Sequence, residues 1–360
     1  MNLKEFQECI EFNIEHNIKH SILGLGAPGV GKSQVIRQIG KKYGYKVIDI
    51  RLAQMSEVEI GGLIYPNEDR TKTKWLSPEI LPDEERDGKN TILLLDEITS
   101  CPKRVQVAAY QLILDRRVGQ YELPEGTFVV ALGNREDDDG VYIKLAGPLA
   151  DRFEIHYIDV DFNSWKYDFA IPTGVHRYVV DYLTFKPSAL HNQKGQGEDT
   201  IVFSTPRSWD RVSQILNIDD DLDNPVVCHK IIGNVGEVEG IQFIRFIKQH
   251  RDTVNVDDFI KGRSKAPQAP EEAAIFLNAL ANRISFVKNY NRFDDMTSEE
   301  KTLLSDAIKA LFGISAPEYV IMGIKNIMNI NRILIKEAFV LCDDSRIDKF
   351  LSDHASAIGV

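Results

Sequence analysis

The stretch GAPGVGKS, residues 26–33, decides how the rest of the chain is read. It satisfies a GxxxxGK pattern followed by Ser or Thr, at Gly26, Gly31, Lys32 and Ser33. Each residue type has a physical reason. Glycines allow a tight turn in which successive N–H groups point inward and cradle phosphate oxygens. Lys32 sets a point charge against the outer phosphates, and Ser33 offers a hydroxyl to Mg²⁺. A helix beginning here turns its positive N-terminal end to the same anion. Working outward, 21–25 is a short apolar run entering the turn, and Ile36, Ile39 and Tyr43 recur at helical spacing until Gly44. Strand, loop and helix thus stand in the order such a loop requires. The expected phosphate-binding set is Gly26, Ala27, Pro28, Gly29, Val30, Gly31, Lys32, Ser33 and Gln34, with ATP and Mg²⁺ as the expected ligands.

A phosphate loop alone fits a kinase, a switch or an ATPase. The discriminating feature is ILLLDE, residues 92–97. A buried apolar strand delivers Asp96 and Glu97 to its C-terminal end, where ligands gather in open α/β sheets. Asp96 joins the nucleotide-binding set and, with Ser33, is an expected magnesium-shell residue. Glu97, one residue on, is placed to polarise a water for attack on a terminal phosphate. The pair therefore predicts ATP hydrolysis.

Further strand-like runs lie at 47–52, 128–132 and 154–160, alternating with helix-period segments such as 102–117, where Val105, Ala108 and Leu112 share a face. This alternation predicts a sheet wrapped by helices. After about residue 162 strands stop. Helical periods mark 209–216 and 238–247, with Thr205 and Pro206 as cap and first-turn proline. A Lys/Ser/Ala/Pro-rich linker at 262–270 precedes further helical segments at 273–290, 303–312 and 317–341. The expected organisation is an α/β nucleotide-binding domain over 1–161, a helical lid over 162–261 and a helical C-terminal extension over 262–360.

Composition constrains partners more than chemistry. Of 360 residues, 43% are hydrophobic and 27% charged, ordinary for a globular protein. No apolar run approaches a membrane span, and the first residues lack the basic start and apolar core of a signal peptide, so the expectation is a cytoplasmic protein without membrane contact. The net charge of −11 argues against general nucleic-acid binding, which rests on clustered Lys and Arg. Cys9, Cys101, Cys228 and Cys342 are scattered without a CxxC pair, which disfavours zinc and redox centres. The acidic runs at 137–139 and 219–221 read as solvated loops.

In order, GAPGVGKS, LLLDE, ALGNRE, GPLADRFE and TPRSW resemble the MoxR-like AAA+ ATPases, a helix-2-insert clade. The similarity extends to a segment VQxAAYQLxLDRRxGxYxLPxG, here 105–126. The resemblance implies an AAA+ P-loop core with a parallel sheet. By it, Asn134 corresponds to the sensor-1 polar residue that helps place the attacking water. Arg152, in ADRF, corresponds to an arginine finger reaching a neighbouring subunit's nucleotide, and Arg207, in TPRSW, to a sensor-2 arginine acting in cis or in trans. Arg116, Arg117 and Arg135 read as structural or interface charges. The resemblance further implies a homo-oligomeric ring, usually a hexamer, with a chaperone or activator role towards a partner bearing a von Willebrand A-type or metallopeptidase-like domain. Two hairpins, 62–75 and 118–128, occupy the places of pore-facing inserts; Tyr65, Trp75 and Tyr121 read there first as packing aromatics and second as a client grip. Where the family often has Asp before the insert's glycine, this chain has Glu59, Ile60 and Gly61. A nucleic-acid motor and a nucleotide-dependent assembly module with little turnover are the alternatives.

Overall fold

Five apolar runs become the parallel strands of one sheet. A computed structural model describes residues 1–138, 142–145, 147, 152–192, 202–250, 256–267, 270–342 and 344–358. Its strands are β1 (Ser21–Gly26), β2 (Lys46–Arg51), β3 (Leu63–Pro66), β4 (Thr73–Leu76), β5 (Thr91–Asp96), β6 (Arg117–Val118), β7 (Tyr121–Glu122), β8 (Thr127–Gly133) and β9 (Phe153–Ile158). The main sheet has the order β2-β5-β8-β1-β9 and is parallel throughout. The other four strands form two antiparallel hairpins, β3 with β4 and β6 with β7.

Side chains alternate across a strand, so an unbroken apolar run can feed two cores at once. In β5, Leu93 and Leu95 join one cluster with Val129, Ala131 and the helix α3 (Lys103–Leu114). Ile92 and Leu94 join the other, with Val130, Leu132 and two helices, α1 (Leu3–Glu15) and α2 (Lys32–Tyr43). The buried face of α3 runs through Val105, Ala109 and Leu112, with Ala108 only half-buried, one position off the periodicity reading. Helix α1 has no counterpart in that reading. It begins at a capping box between Asn2 and Glu5.

The chain divides into two compact units, 1–169 with 205–208, and 170–204 with 209–360. The second contains no strand among its described residues beyond an isolated bridge between Asn192 and Ser204. Tyr182, Trp209, Phe243 and Phe246 form an aromatic cluster there. Beside it the buried Glu239 carboxylate accepts hydrogen bonds from the Tyr182 hydroxyl, Lys186 (2.9 Å) and Asn192 (3.2 Å). A larger apolar core collects Phe276, Leu280, Leu304, Ile308, Ile324 and Ile335.

Two helical expectations in this unit are corrected. The segment 273–290 is a helix Pro270–Arg283 followed by a tighter turn Ser285–Asn289. The segment 317–341 is two helices, Pro317–Met328 and Arg332–Leu341. The chain breaks between them because the Asn331 side chain caps the second helix, accepting from Leu334 N–H. No helix among the described residues is long and apolar enough to cross a membrane.

Candidate functional site

The loop between β1 and α2 is built around backbone conformations that side chains resist. Gly29 and Gly31 have φ of +79° and +101°. A Cβ on Gly29 would stand 2.9 Å from Thr205 Oγ1, so this glycine also permits close packing. Thr205 belongs to a short segment seated on the loop, where Arg207 N–H donates to Gly29 O at 3.2 Å. Thr205 and Ser208 exchange backbone-to-hydroxyl bonds that hold the segment's own turn.

Lys32 is buried and folds back over the loop. Its ammonium donates to Gly26 O, to Ala27 O at 2.9 Å and to Asn134 Oδ1 at 3.4 Å. Burial pushes it down to about 8, with Arg135 and Arg207 adding to the effect and Asp96 and Asp138 opposing it. Ser33 Oγ donates to Asp96 Oδ2 at 2.6 Å, joining the start of α2 to the end of β5. Gln34 is exposed on the first turn of α2.

Asp96 uses its second oxygen to accept the N–H of Glu97 at 2.9 Å. Glu97 itself has φ +62°, a left-handed conformation unusual for a residue with a side chain. Such strain costs on the order of 1–3 kcal/mol and persists only where the surroundings enforce it. Here the next N–H, of Ile98, donates to Leu132 O at 3.0 Å, and Thr99 Oγ1 accepts Asn134 N–H at 2.8 Å. The turn after β5 is thereby stapled to the end of β8.

The structure thus brings together Lys32, Ser33, Asp96, Glu97 and Asn134 at the C-terminal ends of adjacent strands. It does not bring Arg152 into that cluster. Arg152 is exposed at the entry to β9 and makes no ion pair among the described residues, and most of the residues just before it lie outside the described set. The Arg207 side chain is exposed as well; its backbone is what contacts the loop. Arg135 reaches Ile158 O and Asp159 Oδ1, the latter at 2.7 Å, as an anchor to the end of β9. Arg116 donates to Thr127 O at 2.7 Å, a structural tie. Of the acidic run 137–139, Asp137 is exposed and Asp139 lies outside the described residues, while Asp220 and Asp221 are exposed.

Of the hairpin aromatics, Trp75 and Tyr121 pack, and Tyr65 is half-buried. Trp75 Nε1 donates to Gly61 O at 2.6 Å, and its ring lies where Cβ atoms on Gly62 or Gly119 would stand, within 2.5–2.6 Å. The Tyr121 hydroxyl donates to Pro82 O. The exposed apolar residues of β3 and β4 are aliphatic instead: Leu63, Ile64 and Leu76. Glu59 closes a capping box with Ser56, a surface role.

Thr99 and Gly133 escaped the sequence reading. The only signal was a β-branched hydroxyl residue three positions beyond Asp96 at the exit of a buried strand.

The family comparison agrees with this geometry: residues 21–153 match the AAA domain of the dynein-related subfamily. No curated protein sequence matches the chain. Among solved structures, a protein from Cytophaga hutchinsonii ATCC 33406 assigned as an ATPase is 12% identical, covers 96% of this chain and 89% of its own, and has a TM-score of 0.35. A lysine-to-arginine mutant of Thermotoga maritima RuvB is 15% identical, covering 78% and 79%, with a TM-score of 0.40. A proline-to-glycine mutant of the same protein is 14% identical, covering 78% and 80%, with a TM-score of 0.38.

Proposed function

Since the chain carries an AAA+ P-loop domain, we propose that it hydrolyses ATP as a ring-forming assembly and uses the energy to remodel or activate a partner protein. The observation that supports hydrolysis is the convergence of Lys32, Ser33, Asp96, Glu97 and Asn134 on one strand-end surface. In this reading the N–H groups of the loop and the Lys32 ammonium bind the phosphates. The Ser33 hydroxyl and Asp96 carboxylate are hard oxygen donors suited to Mg²⁺, a cation that prefers few protein ligands together with substrate phosphates. When bound, that ion neutralises charge building on the phosphate oxygens. Glu97 accepts a proton from water as the water attacks the terminal phosphorus, the bond to the leaving ADP oxygen breaks, and Asn134 orients the water.

Arg152 is proposed as the finger contributed to a neighbouring subunit. Its exposure, with no ion pair among the described residues, supports that role. A guanidinium supplied in trans stabilises charge spread over the transferring phosphoryl group, an effect on the order of 10³–10⁵ in rate. Arg207 is proposed to act on the nucleotide through its side chain, on whichever side of the interface it reaches. Head-to-tail contacts form rings where the rotation closes; a closed hexamer of MoxR-like type, with a von Willebrand A-type or metallopeptidase-like partner, is the assembly we propose.

The test is ATP turnover by the parent and by Glu97→Gln. The parent should release phosphate in a Mg²⁺-dependent manner, and the variant should bind ATP with turnover reduced roughly 100-fold or more. A parent that binds ATP yet releases no phosphate, alone or with a candidate partner, would overturn the hydrolase reading.

A further inference from the structure

Thr99 lies outside the residues assigned above to phosphate, metal or water. It is fully buried, yet it is polar, and its hydroxyl meets a specific backbone group. Thr99 Oγ1 accepts the N–H of Asn134 at 2.8 Å. Its own carbonyl accepts Ile143 N–H at 2.7 Å. One residue earlier, Ile98 N–H donates to Leu132 O at 3.0 Å. Ile98 O accepts at 3.1 Å from the Gln106 side chain, which is also buried and donates again to Ile143 O at 3.3 Å. The three residues after Asp96 are therefore fastened on both sides.

The close approach has a sequence requirement on the β8 side. A Cβ on Gly133 would stand 2.7 Å from both Thr99 Oγ1 and Thr99 Cγ2. Only glycine lets the Thr99 side chain come this near the end of β8. Glu97, two residues before Thr99, holds a left-handed backbone that needs external enforcement. Asn134, the residue Thr99 holds, sits 3.4 Å from the Lys32 ammonium.

We infer that Thr99 is a positioning residue whose hydroxyl sets the placement of Asn134 relative to Glu97, with Gly133 supplying the space. This inference rests on the hydrolase reading of the same site. Thr99 touches neither phosphate nor metal in that reading. Its loss alters the geometry of water activation and spares nucleotide binding, which belongs to the loop at 26–33. A displacement of about 1 Å at such a constellation costs on the order of 100-fold in rate.

The experiment compares Thr99→Val, which keeps shape and removes the acceptor, with Thr99→Ser, which keeps the acceptor. ATP affinity is read with a fluorescent ATP analogue, and turnover as phosphate release at saturating ATP and Mg²⁺. Thr99→Val should lower kcat by roughly 10- to 100-fold with the nucleotide Kd changed less than about threefold, and Thr99→Ser should restore most of the rate. Gly133→Ala, which pushes Thr99 away without altering its chemistry, should reproduce the Thr99→Val pattern if Thr99→Val folds poorly. Parental kcat in Thr99→Val would overturn the inference. So would affinity lost in step with rate, or Thr99→Ser as impaired as Thr99→Val, because each points to packing alone. A parent without turnover sinks the hydrolase reading and this inference with it, whereas an active parent with an unimpaired Thr99→Val sinks only the inference.

Discussion

Replacing Lys32 with methionine should abolish tight ATP binding, leave the nucleotide-free protein no more stable at neutral pH, and cost it relative stability as pH rises. The Lys32 side chain is 8% exposed, and burial pushes its ammonium from 10.5 down to about 8. That depression corresponds to a cost of about 3 kcal/mol for holding the charge in the loop at neutral pH. Methionine keeps the apolar stem and removes the charge, but it loses the charge-assisted bonds to Gly26 O and Ala27 O, each worth about 1.5–3 kcal/mol. The lost bonds match or exceed the relieved cost, so at pH 7 the variant should be level with the parent or less stable by up to about 3 kcal/mol. The sign with pH follows from the depressed value. A lysine less basic in the folded state contributes stability that is present above 10.5 and lost as pH falls through about 8. The parent should therefore gain on the variant between pH 8 and pH 10 by about 2–3 kcal/mol, and the difference seen at pH 7 should widen. Differential scanning calorimetry without nucleotide, at pH 7 and across that window, measures both effects. ATP with Mg²⁺ should raise the parent's melting temperature and leave the variant's unchanged. A variant that melts well above the parent at pH 7, or a difference that stays constant to pH 10, would refute the reasoning.

Two further outcomes follow from contacts away from the phosphate loop. Gly119→Ala combines a φ of +56° with a Cβ that would stand 2.6 Å from the Trp75 ring. It should destabilise by roughly 2–4 kcal/mol and change Trp75 fluorescence; an unaltered melting curve would show that the ring is not seated there. His176 lies at the start of the helix Arg177–Phe185, with Nδ1 accepting Tyr178 N–H at 3.3 Å, so its proton sits on Nε2. Burial holds the folded imidazole below 6.5 against the opposing pull of Asp220. Its contribution to stability is therefore present above pH 6.5 and lost as pH falls through the lowered folded value, and His176→Gln should flatten the melting profile between pH 7 and pH 5. Equal slopes for parent and variant would rule this out.

The parts of the site that could be read from sequence are those whose chemistry is local. Residues 26–33 need glycines, lysine and serine at fixed offsets because one turn must present all of them to one ligand. Asp96 and Glu97 announce themselves because an apolar run can end in carboxylates only where the sheet ends. The sheet was legible for a similar reason: a strand buried on both faces shows as an unbroken apolar run, as in Ile92–Leu95. Helix ends were less so. Asn331 looks like any polar helix residue until its side chain is seen capping the next helix.

What escaped was the relation between distant segments. Glu97 has no local preference for a left-handed backbone, and no neighbour in sequence explains its φ of +62°. The explanation lies more than thirty residues away, in Leu132 O holding Ile98 and in the Asn134 N–H held by Thr99. Lys32 follows the same logic in part, since its cost arises from burial and its contacts include Asn134, the residue just after β8. Two unfavourable features, a strained glutamate and a desolvated ammonium, thus lean on the same strand end. A sheet with both faces filled can bear them, because the staple between β5 and β8 adds constraint at the one place where the local chain would otherwise relax.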